Sequence, residues 1–233
     1  LRAVQAVNPN TVVVVNAGAS IETPWLKHCK ALVYGALGGQ AGAGAILDVL
    51  TGKVNPSGKL AETWAMSYED TPAKEHFAGK GYRYYQTAGV APAFPFGFGL
   101  SYTSFAYSDL KATSDSVTLT VTNTGSCDGA EIVQIYVAKP DAKVFRPVQE
   151  LKGFEKVKLA AGESKCVAIS LDDKAFRYWN TMTNAWEIEG GHYEIRVGAS
   201  CEDIRLTATV EVAGTGAPNP YAGISLPHYE SGK

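Results

Sequence analysis

The 233-residue chain is 45% hydrophobic and 19% charged, with a net charge of −2. That composition fits a water-soluble globular protein with room for one large or two ordinary domains. The near-neutral balance offers no electrostatic footprint for nucleic acid or an anionic membrane, and no apolar run approaches the roughly 20 residues of a membrane span.

Cys29, Cys127, Cys166 and Cys201 are widely spaced, with no CxxC pair and no local histidine partner, which argues against zinc. An even count permits two disulfides, but a core of this size does not need them, and free, mostly buried thiols are expected. A soluble protein is expected, cytoplasmic in preference to secreted. The opening Leu1-Arg2-Ala3 carries no methionine and no signal-peptide pattern, and reads as the middle of a protein.

In chain order, residues 1–7 read as the last two turns of a helix, with Leu1 and Val4 on one face. Asn8-Pro9-Asn10 stops it, and residues 11–15 form a β-branched run of the kind found in parallel sheets covered on both faces. Residues 16–20 are the loop at its carboxyl end. Thr23-Pro24-Trp25 predicts a short helix with threonine as N-cap. A second strand is predicted at 31–36, then a glycine-rich loop at 38–44 and a helix at 45–50 closed by Gly52. Asn55-Pro56-Ser57-Gly58 is a turn, and 60–64 reads as a third strand. Repeated strand–loop–helix units predict an open α/β sheet with ligands at the carboxyl ends of the strands. Three strands make only part of such a domain. Residues 66–93 read as irregular, with Gly81-Tyr82-Arg83-Tyr84-Tyr85 as a short strand or ordered loop.

Phe94-Pro95-Phe96-Gly97-Phe98-Gly99-Leu100-Ser101-Tyr102-Thr103-Ser104-Phe105 then combines aromatics with conformationally special residues. It reads as a rigid apolar hinge buried between two domains. Beyond it the period drops to two, with strands predicted at 117–123, 132–137, within 149–158, and at 164–171, 192–198 and 204–212. Residues 178–179 and 185–188 form a hairpin. Strands of this number and spacing predict a β-sandwich of the immunoglobulin or fibronectin type III kind. A single twisted sheet is the alternative, and it would leave one apolar row unburied. The fold class is therefore α/β followed by all-β: a partial α/β sandwich domain at 1–93, the hinge at 94–105, a fibronectin type III-like sandwich at 106–213, and a linker or tail at 214–233.

Chemistry is sparse. The 38–44 loop lacks the order of a dinucleotide fingerprint and the Lys-Ser/Thr of a P-loop, so close strand–helix packing, with Gln40 facing a cleft, is its simpler reading. No Gly-x-Ser-x-Gly elbow is present. His28, His76, His192 and His228 fall in different elements with no metal spacing. Glu22, Glu62, Glu69, Asp70 and Glu75 show no pairing of the kind glycoside hydrolysis requires. No catalytic residue, metal ligand or cofactor site is assigned.

Several segments together resemble glycoside hydrolase family 3, the β-glucosidase and β-xylosidase family. They are Asn8-Pro9-Asn10-Thr11-Val12-Val13-Val14, Gly39-Gln40 with Gly44-Ala45, Gly52-Lys53-Val54-Asn55-Pro56-Ser57-Gly58-Lys59-Leu60, Gly81-Tyr82-Arg83-Tyr84-Tyr85 and Phe94 to Tyr102. Arg146-Pro147, Glu150-Leu151-Lys152-Gly153-Phe154 and Gly162-Glu163 fit as well. Departures are Phe77-Ala78-Gly79-Lys80, where the family often has an acidic Glu-Gly, and Ala43, where it has a second glycine.

The resemblance implies a retaining enzyme built from a (β/α)8-type barrel, an α/β sandwich and a fibronectin-like domain. Its aspartate nucleophile and glutamate acid/base would both precede Leu1. On this reading the chain is the non-barrel portion of an exo-acting β-glycosidase, foremost a β-glucosidase, and is inactive alone. Its partners would be a β-linked glycoside and a catalytic barrel, in the same or another polypeptide. Asn16, Gln40, Tyr82 and Arg83 are candidate cleft-lining residues. For Tyr82 and Arg83 the simpler alternative is packing and ion pairing. A rival reading is a non-catalytic carbohydrate- or protein-binding scaffold, with Tyr178, Trp179 and Trp186 as stacking candidates.

Overall fold

The structure, a computed structural model, describes residues 1–72 and 81–224. Glu75, His76, the departure at 77–80, His228 and the last nine residues of the expected tail lie outside the described residues.

The α/β portion starts with helix α1 (Arg2–Val7), strand β1 (Val12–Val15), strand β2 (Ala31–Tyr34) and helix α2 (Gly42–Leu50). The two strands pair in parallel from Val12 opposite Ala31 to Val15 opposite Tyr34. Cover on both faces, expected for the valine run, is not found among the described residues: Val12 and Val14 are exposed. Two strands and two short helices cannot enclose a sheet. The expected helix at Thr23 is a single 3-10 turn, Leu26–His28, with Trp25 rather than Thr23 at its N-cap and no side-chain cap. The helix predicted from Ala45 begins three residues earlier, so the glycine loop is shorter than it reads.

Two further expectations fail in this half. Residues 60–64 are not a strand of the parallel sheet. They lie antiparallel to 93–98 through bonds clustered at two ends: Leu60 N–H to Phe98 O (2.8 Å), Gly97 N–H to Leu60 O (2.8 Å), Trp64 N–H to Phe94 O (2.9 Å) and Ala93 N–H to Trp64 O (2.7 Å). Pro95 has no N–H to give between them, so the ladder is interrupted. Gly81-Tyr82-Arg83-Tyr84-Tyr85, read as strand or loop, opens helix α3 (Tyr82–Ala88). Gly89 ends it in the left-handed conformation, with its N–H bonded to Tyr85 O. Burial of Tyr82, Tyr84, Tyr85 and Ala88 overrides the strand preference of tyrosine here.

The second half is the expected two-sheet sandwich. It comprises β3 (Phe105–Ala112), β4 (Ser116–Asn123), β5 (Gly129–Ala138), β6 (Glu150–Leu159), β7 (Ser164–Ser170), β8 (Arg177–Asn180), β9 (Ala185–Ile188), β10 (Gly191–Gly198) and β11 (Ile204–Val212). One sheet runs β11-β10-β5-β6, the other β3-β4-β7, and β8 and β9 form a separate hairpin. Alternate residues Val117, Leu119 and Val121 of β4 meet Val133, Ile135 and Val137 of β5 and Tyr193, Ile195 and Val197 of β10 in one core. Strand β3 was not anticipated, because its first residue ends the aromatic segment.

The two halves are locked polar group to polar group. Lys59 pairs with Glu131 at 3.0 Å, both nearly buried, and Lys59 also donates to Gly99 O. Asn55 donates to Asp128 O and accepts from the Tyr102 N–H and the Ser101 hydroxyl. Cys201 N–H bonds Phe96 O. The 94–105 segment is therefore anchored, but it is half-buried rather than buried, with Gly97 its one fully buried residue. Leu100 and Tyr102 are exposed, and the Tyr102 hydroxyl reaches back to Val49 O of α2. The tail follows the hairpin, with Thr215 N–H on Ile188 O and the Asn180 amide on Pro218 O. All four cysteines are free thiols.

Candidate functional site

Parallel strands leave their backbone carbonyl ends, and the loops that follow, on one edge of the sheet, and the helix that crosses back begins there. Here that edge holds a cleft of about 320 Å³ lined by Asn16, Gly38, Gly39, Gly42, Ala43 and Ile46. Asn16 directly follows β1 and Gly35 directly follows β2, and the Gly35 N–H bonds Val15 O at 2.8 Å. A Cβ on Gly35 would stand 2.6 Å from Asn16 Oδ1 and 3.1 Å from Ile46 Cδ1. Glycine thus lets the Asn16 carboxamide lie flat across the end of β2. Ala36 next to it holds a left-handed φ of 47°, a conformation uncommon for alanine. Gly38 and Gly42 pack backbone to backbone, since a Cβ on the former would meet the Gly42 Cα at 3.0 Å.

The loop after β1 is tied down from below. The Tyr34 hydroxyl donates to Ala17 O at 2.9 Å, and its ring meets the Trp64 ring edge-on at 5.0 Å. Trp64 is buried and in turn meets Phe94 edge-on at 5.8 Å. A chain of rings therefore links the cleft floor to the start of the hinge.

Among the described residues the cleft offers amide and backbone groups and no titratable side chain. It can orient hydroxyl-rich ligands by hydrogen bonds, and it cannot supply a nucleophile or a proton donor. Among the described residues no cluster of three metal-ligating side chains exists.

The four candidate lining residues separate into two groups. Asn16 lines the cleft, and Gln40 lies exposed in the loop one residue beyond Gly39. Tyr82 and Arg83 face the sandwich instead. The Tyr82 ring stacks on Phe96 at 4.7 Å and its hydroxyl accepts from Leu151 N–H at 2.7 Å. Burial pushes its pKa up despite that hydrogen bond. Arg83 pairs with Glu150 at 3.0 Å. Gly35, Tyr34 and Ile46 were not singled out from sequence. The Tyr-Gly pair closing β2 was the available signal.

The described residues form a two-sheet sandwich locked onto a narrow α/β unit with a cleft at its sheet edge. Comparison with known proteins places it. Residues 1–102 match the glycosyl hydrolase family 3 C-terminal domain, and residues 131–201 match the fibronectin type III-like domain. The chain belongs to glycoside hydrolase family 3, as part of its C-terminal region.

Thermostable beta-glucosidase B of Acetivibrio thermocellus is 45% identical over 235 residues, covering 92% of this chain and 31% of that protein. An exo-alpha-(1->6)-L-arabinopyranosidase of Bifidobacterium longum is 44% identical, covering 94% and 31%. The crystal structure of a Bifidobacterium adolescentis family 3 beta-glucosidase superposes with a TM-score of 0.88 at 44% identity, over 94% of this chain and 35% of that one. The chain thus spans about a third of the length of these relatives.

Proposed function

We propose that this chain is the non-barrel portion of a retaining, exo-acting β-glycosidase, foremost a β-glucosidase, that hydrolyses terminal β-linked sugars. The cleft at the ends of β1 and β2 would form one wall of the sugar site, with Asn16 and the Gly39-Gln40 segment as its polar contacts. The division at 1–93, 94–105, 106–213 and 214–233 belongs to the same reading. The observation that carries it is the coincidence of a polar, acid-free cleft at the strand ends with an architecture shared along most of the chain with a family 3 beta-glucosidase.

The catalytic carboxylates would then come from sequence outside this chain. Assay of the full-length gene product against a panel of nitrophenyl glycosides tests the reading. The panel should include β-glucosides, β-xylosides and α-L-arabinopyranosides, because relatives of near-equal identity carry different sugar names. Turnover by the full-length product and none by the 233-residue chain is expected. Turnover by the isolated chain, or binding of sugars with no hydrolysis by the full-length product, overturns it, and the second outcome supports a carbohydrate-binding scaffold.

A further inference from the structure

The β8–β9 hairpin carries an aromatic surface that the cleft does not use. Trp179 and Trp186 are register partners across it, and their rings meet edge to face at 5.5 Å. Mutual packing does not bury them: Trp179 is 45% exposed and Trp186 59%. Neighbouring Tyr178 shows what satisfied packing looks like on the same hairpin. It points to the opposite face, its ring lies beneath the Arg146 guanidinium at 5.6 Å, and its hydroxyl accepts from Asn180 at 3.1 Å. Met182 in the turn between the two strands is exposed as well. Two half-exposed indoles on a rigid hairpin form the kind of patch that marks a binding surface.

Charge and shape narrow the occupant. Arg177, the cation of the hairpin, is paired with Asp173, and the adjacent Lys174 faces Asp172. Glu187 accepts from the Thr183 hydroxyl at 3.0 Å. The hairpin therefore has no unpaired cation to attract a polyanion, and the carboxylate of Glu187 repels one. What two indoles meeting at an angle match is a ring with an apolar face and polar edges. A β-linked pyranose is such a ring: its hydroxyls lie equatorial and its faces carry C–H bonds, so a face stacks on an indole while its edges stay in water.

We propose that Trp179 and Trp186 form a second carbohydrate site, a stacking platform for a neutral β-linked glycan chain, separate from the cleft. The proposal rests on the β-glycosidase reading for its choice of glycan. The platform would hold a polymeric substrate near the protein without taking part in bond cleavage.

Native gel electrophoresis of the 233-residue chain through barley mixed-linkage β-glucan tests it, with polygalacturonate as the anionic control. The expected result is retardation by β-glucan alone, weakened roughly tenfold in affinity by Trp179→Ala and by Trp186→Ala. No retardation, equal retardation by polygalacturonate, or full retardation of the double variant overturns the proposal. A second readout needs no variant. Trp64 is buried and Trp25 half-buried, so the platform supplies the two most exposed indoles, and cellopentaose covering it should lower acrylamide quenching of indole fluorescence; unchanged quenching at concentrations that saturate any retardation also overturns it. Loss of the hydrolase reading is seen separately, as a full-length product inactive on every glycoside, while retardation by β-glucan persists.

Discussion

The Gln134 carboxamide, on β5, donates to the backbone carbonyl of Gly97 at 3.1 Å and to Ala199 O at 2.8 Å, from a position only 3% exposed. Its Oε1 accepts from the Tyr136 hydroxyl at 2.6 Å. Gly97 holds a φ of 79°, and a Cβ there would run into this same carboxamide. One side chain thus reads the backbone of the aromatic segment directly, and the sandwich is registered on the α/β portion through it. Gln134→Leu strands three buried polar groups and is expected to lower stability by about 2–4 kcal/mol. Gly97→Ala should do at least as much, since it adds an unfavourable φ to the clash. Urea unfolding measures both. A midpoint within error of wild type for either variant would show that the contact does not hold the segment.

The Lys59–Glu131 pair crosses the same boundary, with side chains 11% and 9% exposed. Removing one partner of such a pair leaves a buried charge alone, whereas replacing both can be close to neutral. Glu131→Gln should therefore destabilise by about 3 kcal/mol or more, and Lys59→Met with Glu131→Leu by much less. A double variant as unstable as the single one would place the effect in packing rather than charge.

Alkaline pH should act through buried phenols. Desolvation raises the pKa of Tyr82, Tyr107, Tyr136 and Tyr193 above the usual 10.0. Each folded-state pKa lies above the unfolded value, so the associated stability is complete below about pH 10 and is lost as the pH rises towards the folded values. Phenolate absorbance and near-ultraviolet circular dichroism followed together should show a late set of tyrosines ionising in step with loss of tertiary structure. Ionisation of every tyrosine before any such loss would contradict the burial.

Thiol reactivity should separate Cys166 from Cys201. Cys166 is exposed on β7 and Cys201 is buried beside Tyr82 and Tyr136. Desolvation pushes the Cys201 thiol up to about 12, so neither access nor thiolate is available at pH 8. A disulfide-exchange reagent should modify Cys166 promptly and Cys201 only at the rate of unfolding. Mass spectrometry of the modified protein identifies the site, and early modification of Cys201 would refute the packing around it.

Legibility in the sequence followed the range of the interactions that make each element. Strands β4, β10 and β11 alternate inward and outward over a core of their own, so period two announces them. Tyr82-Arg83-Tyr84-Tyr85 has the composition of a strand, and only the groups that receive it after folding, the rings of Phe96 and Tyr136 for Tyr82 and Ala65 for Tyr84 and Tyr85, make it a helix. Residues 60–64 do pair with another segment, but that partner is the proline-interrupted aromatic stretch rather than a parallel strand. At the cleft, the strand-end rule pointed to Asn16 and the glycine loop. Tyr82 and Arg83 stood out only through their motif, and their contacts lie with β6. Gly35 was unreadable because its importance depends on where Asn16 lies after folding.

That dependence yields the sharpest test of the cleft. In Gly35→Ala the new Cβ has nowhere to go but into Asn16 Oδ1, with Ile46 closing the other side. The rest of the loop is held by the Tyr34 hydroxyl on Ala17 O, so the carboxamide must rotate while the backbone largely stays. If Asn16 orients a sugar hydroxyl in the full-length enzyme, the loss of one such hydrogen bond corresponds to about 1–2 kcal/mol, or roughly tenfold in kcat/KM. Asn16→Ala should give a similar fall, and the double variant Asn16→Ala with Gly35→Ala little more, because both changes remove the same contact. Steady-state kinetics on the four proteins decides it. Additive losses would mean that Gly35 acts on the cleft by a route other than Asn16.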